Sequence, residues 1–156
     1  MRTTRALAAC GAALMMIGGA APYAFADSGP EDGLAYHGAV FMAAGRVDVR
    51  FTPRNQGPVA VPDASVRLLW SEPLADRQTL PDGCARSGER AVLCGVGALA
   101  AKGAGEPMSL RVRLREAPSE VLLEIDTAWY GATADRHLDN DPQRVLVLDT
   151  GDEYYF

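Results

Sequence analysis

The chain has 156 residues, with 15 Lys or Arg against 20 Asp or Glu, and 48% of it is hydrophobic. That is enough for one domain with a sizeable core and too little for a large multidomain enzyme. The acidic balance deepens to about −7 once Arg2 and Arg5 are set apart, so no basic patch is dense enough to favour nucleic acid or an anionic membrane surface as partner.

The amino terminus predicts export. Arg2 and Arg5 form a charged n-region, Ala6 to Ala21 an apolar h-region, and Ala24-Phe25-Ala26 a small-x-small cleavage site, so residues 1–26 are expected to be a signal peptide cut after Ala26. A spanning helix would need roughly 20 apolar residues, and Gly18, Gly19 and Pro22 interrupt the stretch. Leu7-Ala8-Ala9-Cys10 resembles a lipoprotein box, but the apolar segment follows the cysteine instead of ending at it. Arg2 and Arg5 are not adjacent, which leaves the twin-arginine route without support. The expected product is extracellular or loosely associated with the cell envelope, with no stable membrane anchor after cleavage. Residues 27–34 are expected to be a flexible leader to a single domain over 35–150, followed by a tail over 151–156.

Within that domain apolar residues recur with period two over short runs separated by turn residues, the pattern of strands with one buried face. A run near Tyr36 to Met42 comes first, then Val47, Val49 and Phe51 alternating with Arg46, Asp48 and Arg50. Asn55 to Pro62, with Gly57 and Pro58, reads as a loop. Val66, Leu68 and Trp70 form the next stripe, closed by Pro73. Cys84 and Cys94 flank Ser87-Gly88-Glu89-Arg90, the composition of a tight hairpin turn, and Gly95 to Gly105 reads as a Gly/Ala-rich turn. Leu110, Val112 and Leu114 alternate with Arg111, Arg113 and Arg115, and Val121 to Trp129 forms the longest stripe. A last strand spans about Arg144 to Asp149. Seven or eight short antiparallel strands with this spacing predict an all-β, immunoglobulin-like β-sandwich.

Signal removal leaves Cys84 and Cys94 in an oxidising compartment, where a structural disulfide across the hairpin is expected. Closing that loop restricts the unfolded chain by roughly 2.7 kcal/mol on the entropy account. A redox or nucleophilic thiol would want a C-x-x-C spacing or a dedicated histidine, and neither is present. The arginines at 111, 113 and 115 lie on one strand face. They read as a sheet surface paired with Glu120, Glu124 and Asp126 of the following strand in preference to a polyanion site. Trp70 and Trp129 read as core or half-buried aromatics, with carbohydrate stacking as the rival.

Catalytic parts are few. His37 and His137 are a hundred residues apart, and no G-x-S-x-G or H-E-x-x-H motif surrounds either. Asp135, Asp139 and Asp141 cluster, but without the order of an EF-hand loop, so a solvated inter-strand loop is preferred over calcium or a carboxylate pair. No catalytic, cofactor-binding or metal residue is assigned, and no cofactor is expected. The terminal Tyr154-Tyr155-Phe156 reads as a frayed end or a last strand folded back on the domain, before it reads as an element offered to a partner.

Leu80-Pro81-Asp82-Gly83-Cys84, then Arg90-Ala91-Val92-Leu93-Cys94 and Gly97-Ala98-Leu99, resembles the "LP-x-G … C-x-x-G-x-L" centre of the bacterial conserved-repeat domain of unknown function. That family is an immunoglobulin-like module of secreted and surface proteins. Asn55-Gln56-Gly57 resembles the family's Asn-x-Gly after the second strand. Ala132-Thr133-Ala134-Asp135 with Asp139-Asn140-Asp141 is similar to its closing segment, although family modules end in Asn-Asn where this chain has Asp-Pro. The likeness spans roughly residues 46 to 149 in a single copy. It implies a fold and is silent about chemistry.

The expectation is a secreted, non-enzymatic β-sandwich that binds an extracellular protein or envelope glycan, with the loop ends as contacts. The alternatives are an inhibitor of a secreted enzyme presenting Asn55 to Pro62 or the disulfide hairpin, and a glycan hydrolase using Asp135, Asp139 or Asp141.

Overall fold

The computed structural model describes residues 33–130 and 142–156, apart from the side chains of Trp129 and Tyr130. The expected signal peptide, His137 and the Asp135/Asp139/Asp141 loop lie outside the described residues. Among those residues there are nine strands and no helix, so none long and apolar enough to cross a membrane.

The period-two stripes become the strands. β1 (Leu34–Ala43) turns its even-numbered residues inward, Tyr36, Val40 and Met42 among them, and β2 (Arg46–Asn55) buries Val47, Val49 and Phe51. The two pair along their whole length, Leu34 opposite Asn55 and Ala43 opposite Arg46. Their turn places Ala44 and Gly45 at positive φ (51° and 69°), the requirement of a two-residue hairpin whose twist matches its strands. Asp149 Oδ1 accepts the Ala44 N–H at 2.7 Å and steadies the residue that is not glycine. Gly38 is needed for a different reason: a Cβ there would lie 2.7 Å from the Phe51 Cα on the paired strand.

β3 (Ala64–Trp70), β4 (Cys84–Arg86), β5 (Ala91–Gly95), β6 (Met108–Arg113), β7 (Glu120–Tyr130), β8 (Gln143–Leu148) and β9 (Tyr154–Tyr155) complete the set. They form two antiparallel sheets, one in the order β6-β2-β1-β9 and one in the order β4-β5-β3-β7-β8. Eight strands match the expected runs. The ninth lies in the segment 151–156 that was expected as a tail outside the domain; Tyr154 pairs with Val40 and Tyr155 with Ala39. Leu34, placed in the leader, is already paired and buried.

The inner faces of both sheets merge into one hydrophobic cluster, a sandwich-like layering. Leu68, Trp70, Leu123 and Ile125 come from one sheet, and Val40, Met42, Val47 and Val49 from the other, all essentially without solvent contact. Each such side chain contributes about 1.5–3 kcal/mol of burial. One polar bond crosses the core: Tyr36 Oη and Thr127 Oγ1 lie 2.8 Å apart, joining β1 to β7. The Tyr36 ring meets Phe51 edge to face at 5.9 Å. Burial pushes the Tyr36 hydroxyl up to about 12, against the opposing pull of the Thr127 hydrogen bond and with a small contribution from the Asp126 charge.

Candidate functional site

The loop between β2 and β3 departs from Asn55, a polar residue with only 4% exposure. Its side chain makes three hydrogen bonds, with both amide hydrogens engaged. Oδ1 accepts the Gly57 N–H at 2.9 Å, forming an Asx turn, while Nδ2 donates to the carbonyls of Val59 at 2.7 Å and Ala100 at 3.1 Å. The backbone continues the lacing: Asn55 N–H reaches Gly103 O, Lys102 N–H reaches Gly57 O, and Val61 and Leu99 exchange both main-chain bonds at 2.8 Å. Val61 and Leu99 are anchored in the core. Pro58, Val59 and Ala60 therefore stand out from a loop pinned on three sides, and Val59 is 73% exposed. The conformation of an apolar tip held in this way is set before any partner arrives.

On the outer face of the four-stranded sheet lies an open concavity of about 600 Å³ lined in part by His37, Arg50, Ser109, Glu153 and Tyr155. Arg50 forms an ion pair with Glu153, and the Tyr155 hydroxyl donates to the other oxygen of that carboxylate at 2.9 Å. That hydrogen bond, and the Glu153 charge behind it, hold the Tyr155 hydroxyl above its ordinary range, with Arg50 opposing. The Tyr155 ring itself is 77% exposed. The concavity is open to solvent and sets this polar cluster beside an exposed aromatic ring. Nothing in the sequence pointed to it, because Arg50 and Glu153 are 103 positions apart and meet only when β9 joins β1.

The disulfide hairpin is as expected. Cys84 and Cys94 are bonded and stand directly opposite each other on β4 and β5, with Cα atoms 4.0 Å apart. Ser87 N–H closes the turn on Ala91 O, and Gly88 takes φ 82°. Arg86 folds back to donate to the carbonyls of Leu74, Ala75 and Gly88, tying the hairpin to the chain before it. Trp70, the core aromatic, is fully buried, and its indole N–H finds no acceptor among the described residues.

No protein-family model matches this chain, and no curated protein does. Among solved structures it is similar to a GH20 exo-β-N-acetylglucosaminidase from Vibrio harveyi, in complex with N-acetylglucosamine, at 15% identity and a TM-score of 0.36. The match covers 75% of this chain and 18% of that one, so the chain spans under a fifth of the neighbour's length.

The arginine stripe keeps its place but changes its partners. Glu120, Glu124 and Asp126 sit on β7, in the other sheet from β6, so they do not face Arg111, Arg113 and Arg115. Arg111 donates to Asp48 across β2 at 2.5 Å, and Arg115 lies 3.8 Å from Asp76. Glu124 and Asp126 pair instead with Arg144 and Arg67 of their own sheet. Sequence adjacency gives the wrong partners here because the link between β6 and β7 crosses from one sheet to the other. Among the described residues no cluster of His, Cys, Asp and Glu is placed to hold a metal ion.

Proposed function

We propose that this protein is a secreted, non-enzymatic binding module of immunoglobulin-like type, acting on an extracellular protein or a cell-envelope component. Membership of the bacterial conserved-repeat domain is part of this reading, supported by Asn55-Gln56-Gly57 and the Leu80 to Cys94 segment. The observation that carries the proposal is the tip Pro58-Val59-Ala60. An exposed apolar loop is fastened by buried Asn55 and by backbone bonds to the 96–105 segment, so little conformational freedom is lost when a partner covers it. The Cys84–Cys94 disulfide supports an oxidising destination.

The test is capture from envelope extract and culture supernatant with the chain from Asp27 onward, side by side with Val59→Asp. Saturable retention that Val59→Asp abolishes, with the melting temperature unchanged, is the expected result. No retention by the native chain across a range of salt and calcium would overturn the reading. The pinned Val59 carbonyl also favours a second one, inhibition of a secreted peptidase by this loop. Titration against a panel of such enzymes decides it, with tight inhibition lost in Asn55→Ala as the supporting outcome.

A further inference from the structure

Each sheet has two edges, and the four are not treated alike. β4 and β9 have only three and two residues. β6 carries charged residues, and the outward N–H and C=O of Arg113 are both taken by the Gln78 side-chain amide, at 2.9 and 2.7 Å, which imitates a neighbouring strand. Short length, charge and coverage are the usual ways of preventing edge-to-edge pairing.

β8 is neither so short nor covered among the described residues, and its one charged side chain, Arg144, is engaged by Glu124 of β7. It is six residues long and reads Gln-Arg-Val-Leu-Val-Leu. Asp149 N–H donates to Ser119 O at 2.9 Å, and this fixes the alternation: Val145 and Val147 bond β7, and the N–H and C=O of Arg144, Leu146 and Leu148 face away from it. The same three residues point their side chains to the outer face, with Leu146 52% and Leu148 38% exposed.

We propose that β8 pairs with β8 of a second copy of this chain, antiparallel about a two-fold axis at Leu146, joining the two five-stranded sheets into one. The strand is its own complement in this register. Leu146 faces Leu146 of the second copy and Arg144 faces Leu148 of the second copy, so every outward N–H and C=O of both strands gains a partner. On the inner side Val145 meets Val147 of the second copy. On the outer side Leu122, which lies opposite Leu146, extends the apolar row through both subunits. The charges agree as well. Glu120 stands beside Leu148 and Glu124 beside Arg144, so the cross-strand rows read acid, leucine, arginine, acid across the junction. A shift by one residue would set outward-bonding groups against groups already committed to β7. A contact of one strand and a few leucines falls at the small end of specific interfaces, so a micromolar dimer is expected.

Sedimentation equilibrium of the chain from Asp27 onward, from low micromolar to hundreds of micromolar, tests this beside Leu146→Lys and Leu146→Pro. Lysine replaces an exposed side chain at the axis; proline removes an N–H that faces away from β7 and has no partner among the described residues, so both variants should keep the native circular dichroism spectrum. The expected result is a concentration-dependent dimer whose dissociation constant rises by roughly tenfold or more in both variants. A native chain that stays monomeric throughout the range, or variants that dimerise as tightly as the native chain, would overturn the proposal.

Discussion

Two irregular regions of this domain are held in shape by opposite means. The hairpin from Cys84 to Cys94 is clasped covalently at an edge of the sheet, with Cys84 only half-buried, and a disulfide acts mainly by restricting the unfolded chain. The loop after β2 has no covalent clasp and rests on one buried asparagine that satisfies carbonyls from two segments. The covalent device works wherever the sulfurs can meet. The polar device works only because Asn55 is out of water, where a lost partner leaves a desolvated group behind.

The sharpest way to break this comparison is at Asn55. Asn55→Ala should cost about 3 kcal/mol or more, since three hydrogen bonds go and the Val59 and Ala100 carbonyls are left short of a donor. Urea denaturation measures the loss, and limited proteolysis should open the 56–61 loop first. Replacing both Cys84 and Cys94 by serine should cost roughly 2.7 kcal/mol, and a reductant should lower the native protein to the same stability. Native stability left unchanged by full reduction would show that the disulfide contributes nothing to it.

A third buried polar contact, between Tyr36 and Thr127, sharpens the comparison through pH. The Tyr36 hydroxyl is neutral in both states below about pH 10, and its folded value is raised to about 12, so the folded state holds the proton more tightly in between. Its contribution is complete below pH 10 and falls away as pH rises towards 12, by about 2 kcal/mol at that point. Tyr36→Phe should remove this alkaline slope and lower stability near neutrality by about 1 kcal/mol. The smallest effect is expected on the surface. Arg111→Ala and Arg67→Ala, which break exposed pairs with Asp48 and Asp126, should each change stability by under about 0.5 kcal/mol.

The strand stripes were legible because side-chain alternation is local: Val47, Val49 and Phe51 point to one side whatever lies opposite. The hairpin and its disulfide were legible for the same reason, as turn residues and sulfurs lie within one short segment. Asn55 was visible as the start of a loop and as part of an Asn-x-Gly likeness, but not as the buried hub of that loop, because its bond to Ala100 spans 45 positions. The concavity at Arg50, Glu153 and Tyr155 was not legible, and the partners expected for Arg111 and Arg115 were wrong. In both cases the missing information was which strand lies beside which.

The sequence by itself therefore determined what short-range physics controls, namely the β character of the chain, the inward face of each strand, the tight turns and the capacity for one disulfide. Tertiary structure decided the order of strands in two sheets, the capture of Tyr154 and Tyr155 by β1, and the acidic partners of Arg50, Arg67, Arg111, Arg115 and Arg144. It also decided which edge was left open. Those outcomes depend on how the connections cross between layers, and a crossing is settled by the packing of the whole core, where each stripe is equally apolar and no single segment carries the choice.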